Sequence, residues 1–124
     1  MSKQNNFRIQ TGQSGEDIAS EHLLSKGLQI IGRNIRTPFG EIDILCEEGD
    51  CLIFLEVKTR RSKQFGFPED AVSRYKQEHM LNSAMAYLQE QDALERTWRI
   101  DVIAVNLVAG TLPEIQWFKN AITC

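Results

Sequence analysis

Two apolar stretches joined by four turn-forming residues constrain this chain more than any other feature. Residues 41 to 46 alternate: Ile42, Ile44 and Cys46 fall on one side, Glu41, Asp43 and Leu45 on the other. That period of two is the signature of a β-strand. Cys51 to Thr59 is mostly apolar, as expected of a central strand covered on both faces. Glu47-Glu-Gly-Asp50 between them predicts a tight turn, and therefore an antiparallel pair.

Other elements follow around this hairpin. Ser14 with Asp17 three residues on is a capping signal, so a helix is expected from there to about Lys26, with Gly27 as its stop. Its apolar stripe uses Ile18, Ala19 and Leu23. Leu28 to Arg36 reads as a strand, and Thr37-Pro-Phe-Gly40 as a turn. Glu69 to Gln91 is the longest predicted helix, with Val72, Lys76, His79, Met80, Ser83, Ala84 and Tyr87 near one face. Trp98 to Val108 is a third strong strand, and Glu114 to Phe118 a short last one. Short turns between the early strands predict a meander. The later strand-helix-strand crossover predicts one parallel pairing, hence a mixed α/β sheet flanked by helices in the order α-β-β-β-α-β-β.

At 124 residues the chain has room for one domain, expected over 13–124 behind a disordered polar tail at 1–12. Apolar residues make up 42% and charged residues 25%, the balance of an ordinary globule. No apolar run approaches the roughly 20 residues of a membrane span, and the polar start is unlike a secretory signal, so a cytoplasmic protein is expected. Cys46, Cys51 and Cys124 form no C-x-x-C pair and the two histidines lie far from them, which argues against a zinc site or a disulfide framework.

The polar residues inside the strands carry the chemistry. A charge placed in a strand is expensive unless it has a partner or a metal. Glu56 and Lys58 interrupt an apolar run and point to one face; Asp43 interrupts the neighbouring run, and the hairpin brings it near Glu56. Two adjacent carboxylates raise each other's pKa, and a divalent cation relieves them. Oxygen ligands of this kind favour Mg²⁺ or Mn²⁺, and a nearby lysine suits phosphodiester hydrolysis. A Glu56–Lys58 ion pair with Asp43 on a solvent face is the structural alternative. Glu16 lies only about 20° from Leu23 around the first helix, so it either faces the protein or simply complements the helix dipole.

Net charge is −3, which does not favour a nucleic-acid binder by itself. The distribution is uneven, however. Lys58, Arg60, Arg61, Lys63, Arg74 and Lys76 fall within one short segment that holds only two acids, Glu69 and Asp70. That segment is either a solvated loop or a phosphate-contacting surface made of Arg60, Arg61, Lys63, Gln64, Arg74 and Lys76. Asp101, set in an apolar strand, reads as structural, paired with Arg99 or Arg33. His22 and His79 have no neighbour at a catalytic spacing. Trp98 and Trp117 read as core or strand-end residues.

Asp43, twelve residues, then Glu56-Val57-Lys58 resembles the D-x(n)-E-x-K signature of restriction-endonuclease-like nucleases. Gly15-Glu-Asp-Ile-Ala19, Gly32-Arg-Asn34, Phe39-Gly-Glu-Ile-Asp-Ile-Leu45, Leu52 to Arg60 and Trp98 to Ala104 together resemble the small bacterial YraN-like family, predicted endonucleases akin to archaeal Holliday junction resolvases. The resemblance spans about residues 12 to 118. Ile42 stands where the nuclease signature often has a proline. The resemblance implies a restriction-endonuclease-like fold and cleavage of DNA, branched DNA included, leaving a 5′-phosphate and a 3′-hydroxyl. It implies Asp43, Glu56 and Lys58 as catalytic residues, Mg²⁺ or Mn²⁺ held by Glu16, Asp43 and Glu56, and action as a homodimer, which would double the basic surface. Glu41 is a weaker candidate. A module of the same fold that binds nucleic acid with little catalysis is the alternative.

Overall fold

The computed structural model describes residues 14–61, 66, 68 and 73–122. The tail at 1–12, Lys63, Gln64, Cys124 and the expected helical start at 69–72 lie outside these residues.

Helix α1 (Gly15–Ser25) begins at the expected cap: the Asp17 N–H donates to Ser14 Oγ at 3.1 Å and the Ser14 N–H to Asp17 Oδ2 at 3.4 Å. These bonds satisfy amides that the helix leaves open. The first turn lies so close to the sheet that a Cβ on Gly15 would sit 1.9 Å from Thr59 Oγ1. Gly27, at φ +88°, turns the chain out of the helix.

The strands are β1 (Gln29–Thr37), β2 (Gly40–Glu48), β3 (Cys51–Arg60), β4 (Trp98–Asn106) and β5 (Glu114–Ile122), with α2 (Arg74–Glu90) between β3 and β4. They form one sheet in the order β1-β2-β3-β4-β5. The β3–β4 pair is parallel and the other three are antiparallel. This is the expected mixed sheet and element order. The crossover helix α2 covers one face, packing Ala84 and Leu88 against Ile42, Leu45, Leu52, Phe54, Ile100 and Ile122. The other face buries Ile44, Cys46, Ile53, Leu55, Ile103 and Val105 under Ala19 and Leu23 of α1. Among the described residues, no helix is long and apolar enough to cross a membrane.

Strand β4 ends at Asn106, two residues short of the expected Val108, and three larger departures from the sequence expectation follow. Ile42 and Ile44 were expected on one face, yet Ile42 packs under α2 and Ile44 under α1. The alternation breaks at Asp43. On the paired strand β1, the register shifts between Ile30 and Gly32, and Asn34 takes the left-handed conformation at φ 52°. Asn34 and Asp43 lie between the regular pairs Arg33–Ile44 and Ile35–Ile42. Second, β5 runs on to Ile122 instead of ending at Phe118. A register shift between Ile100 and Val102, with Asn120 at φ 51°, lets buried Ile122 pair with Ile100. Third, Arg60 was expected in a basic surface loop, but it is the buried last residue of β3.

Candidate functional site

The site forms where β2 and β3 part. Their ladder ends at the Ile44–Leu55 pair. One residue further, Asp43 and Glu56 stand next to each other on the two strands. Asp43 Oδ2 accepts the N–H of Val57 at 2.8 Å, so a carboxylate takes the place of the missing ladder bond. Burial raises the Asp43 carboxyl from the usual 3.8 to about 7; the charge of Glu56 adds to this, and that of Glu16 adds less. The Val57 N–H and the Lys76 ammonium act in the opposite direction.

Glu56 lies on the α2 side of the sheet, with its side chain 17% exposed. Lys76, in the first turn of α2, reaches it at 3.4 Å from Nζ to Oε2. The expectation that Lys76 sits on the inward face of the long helix therefore holds, and its ammonium meets a site carboxylate. Lys58, two residues beyond Glu56, is partly buried on the same strand face. Glu41, Phe54, Met80, Ser83 and Ile100 line a small hollow beside Glu56.

Glu16 approaches from α1 on the opposite side. It is positioned by Asn34, whose Nδ2 donates to both carboxylate oxygens at 3.0 and 3.1 Å, and by Arg33 at 3.5 Å. Arg33 binds Asp17 more closely, at 2.7 Å, and holds that carboxyl below its usual range. Arg33 therefore belongs to α1 and is not the partner of Asp101. Asn34 carries no obvious signal in the sequence, although an asparagine tolerates the left-handed backbone that β1 needs there. Among the described residues, no three His, Cys, Asp or Glu side chains gather closely enough to enclose a metal ion. The structure thus brings Asp43 and Glu56 together while Glu16 faces Asn34 and Arg33. The adjacent carboxylate pair suits a hard divalent cation by its donors: both members offer oxygen, and burial together with the charge of Glu56 disfavours the ionised form of Asp43.

The basic residues separate. Arg60 is buried and donates from Nη2 to the Gly66 carbonyl at 2.8 Å and to Gln116 Oε1 at 2.9 Å, so its guanidinium ties the chain after β3 to β5. Its place in a phosphate-contacting surface is corrected accordingly. Arg61 and Arg74 are exposed.

Other singled-out residues are structural. Asp101 is fully buried and accepts from Arg99 Nε at 3.0 and 3.2 Å, Trp117 Nε1 at 2.9 Å and the Asn120 N–H at 2.7 Å. Trp98 packs edge-on against Phe54. Burial pushes the Cys46 thiol up to about 12, with the charge of Asp101 adding to the effect, so it is no nucleophile at neutral pH.

Comparison with known proteins agrees with the sequence resemblance. Residues 15–105 match the profile described as "Uncharacterised protein family UPF0102". A UPF0102 protein of Caldicellulosiruptor saccharolyticus is 41% identical over 89% of this chain and 94% of its own length. One from Syntrophotalea carbinolica is 44% identical over 92% of each. Among solved structures, Pyrococcus furiosus SfsA in complex with Ca²⁺ matches 95% of this chain and 65% of its own at 20% identity. Its TM-score of 0.39 is too low to establish a shared fold. The chain belongs to the uncharacterised family UPF0102, the YraN family that its motifs resemble.

Proposed function

We propose that this protein is a metal-dependent nuclease acting on DNA phosphodiester bonds. The observation that carries the reading is the Asp43–Glu56 pair, built into the gap between two central strands with Val57 fixing one oxygen. Asp43 and Glu56 would hold Mg²⁺ or Mn²⁺, which supplies an activated water and charge relief at the phosphoryl oxygens. Lys58, on the Glu56 face, neutralises charge developing on the phosphate or orients the attacking water. Asp43 must be deprotonated to ligate, so its carboxyl near 7 makes the site most competent above neutral pH. Glu16 acts from the α1 side through the position that Asn34 gives it.

The test is cleavage of labelled duplex, single-stranded, flap and four-way-junction DNA in Mn²⁺ and in Mg²⁺, beside Lys58→Ala and Glu56→Ala. Metal-dependent cutting that both variants lose supports the reading; cutting that survives in both overturns it.

One observation favours a second reading. Lys76 already neutralises Glu56, and no third carboxylate joins the pair among the described residues. A nucleic-acid-binding module with little catalysis accounts for that arrangement. It predicts a salt-sensitive gel shift without cutting.

A further inference from the structure

Tyr75 precedes Lys76 at the start of α2 and is 68% exposed, although an aromatic ring of this size is usually more deeply buried. Its ring is supported from one side: it meets the His79 ring at a centroid distance of 4.2 Å and a tilt of 51°. His79 is anchored in turn, because its Nδ1 is hydrogen-bonded to the Phe39 carbonyl in the β1–β2 turn. Phe39 itself is 46% exposed. The result is a braced aromatic surface on two elements, with one open face on Tyr75. Exposed Arg74 and Lys76 flank Tyr75 in the chain, and Lys76 reaches the site carboxylate Glu56.

We propose that Tyr75 is a stacking platform for an unpaired nucleobase, so that the site takes single-stranded or locally unpaired nucleic acid. This rests on the nuclease reading and names its substrate class. Three features select the occupant. The open ring face matches the π-face of any base, and stacking is the sequence-tolerant part of single-strand binding. The flanking cations match a phosphate backbone. Tyr75 and Lys76 share the first turn of α2, and Lys76 reaches Glu56, so the platform and the carboxylate pair lie toward the same end of that helix. A base within a duplex is already stacked on both sides and cannot use the platform.

The experiment is an anisotropy titration of the full-length protein in EDTA at low salt. The probes are a fluorescein-labelled thymidine 12-mer and an abasic 12-mer of equal charge. Stacking predicts that the wild type prefers the thymidine probe by about tenfold. Tyr75→Ala should lose that preference without changing abasic binding, and Tyr75→Phe should keep it. Equal binding of both probes by the wild type, equal loss on both in Tyr75→Ala, or no binding of either probe overturns the inference. Cleavage of the single-stranded, flap and junction DNAs in Mn²⁺, assayed separately, reports on the nuclease reading. Cutting that is indifferent to Tyr75, alongside a failed titration, discards the platform and leaves the nuclease standing.

Discussion

The Val57 N–H donates to Asp43 Oδ2 at 2.8 Å, across the point where the β2–β3 ladder stops. This bond holds a carboxylate beside Glu56 in a place that burial and like charge both disfavour, and it makes the site a preset feature of the sheet. Its consequences can be measured without any substrate.

The first is a pH dependence of stability. The Asp43 carboxyl lies near 7 in the fold against 3.8 ordinarily, so between about pH 4 and 7 the native state keeps a proton that the unfolded chain has released. The stability of the metal-free protein should therefore fall as pH rises through that window and level off above it. Asp43→Asn removes this dependence while keeping an oxygen for Val57. It should be the more stable protein at pH 8.5, by on the order of 2 kcal/mol. Urea unfolding in EDTA at pH 5.5 and 8.5 measures both quantities; an unchanged slope in the variant would assign the effect to another group.

The carboxylate cluster of Asp101 should behave oppositely, as a pure stability element. Asp101→Ala leaves the Trp117 indole and the Asn120 amide without their acceptor and Arg99 with only Glu48 at 3.6 Å. The expected loss is about 2–3 kcal/mol, because two donors lose their acceptor and a half-buried cation loses its nearer partner. Chemical denaturation checks the size. A loss below about 1 kcal/mol would mean that the neighbourhood rearranges or admits water.

Close packing of α1 on β3 gives a third outcome. A methyl on Gly15 would meet Thr59 Oγ1 at 1.9 Å, and Thr59 Cβ at 3.2 Å. Gly15→Ala should destabilise by roughly 2–3 kcal/mol. Adding Thr59→Ala should recover part of that loss, because it removes the nearest atom. A double-mutant cycle by thermal unfolding reads the coupling, and strictly additive effects would contradict the contact.

Asn34 separates backbone from side chain. Asn34→Gly accepts φ 52° without strain but removes both hydrogen bonds to Glu16. The fold should survive with a stability change of about 1 kcal/mol or less, while metal-dependent cleavage falls with a shifted pH profile. Asn34→Ala should cost about 1 kcal/mol more than Asn34→Gly, from the backbone alone. Equal stability of the two variants would contradict the assigned strain.

The sheet and its helices were legible because their signals are local. The Ser14 cap, the Glu47–Asp50 turn, the alternation from Ile44 to Cys46 and the apolar run of β3 each act within a few residues. So was the meeting of Asp43 with Glu56, since a hairpin fixes which residues face each other. What escaped depends on distant partners. The break in alternation at Asp43 falls opposite left-handed Asn34 on β1, and nothing in residues 41–46 encodes that. Arg60 looks like any basic loop residue until β5 brings Gln116 to it. The reach of Lys76 to Glu56 and the bracing of Tyr75 by His79 depend on how α2 seats on the sheet, which helical periodicity gives only as a face.

The most direct test of the central claim is Mn²⁺ binding to the full-length protein at pH 8, read by electron paramagnetic resonance of the free ion. Asp43 and Glu56 acting as one cation site predict saturable binding that Asp43→Asn or Glu56→Gln each weakens at least tenfold. Lys76→Met should strengthen binding, because it removes the cation that now neutralises Glu56. Binding that is absent in the wild type, or unchanged in both carboxylate variants, would contradict the account.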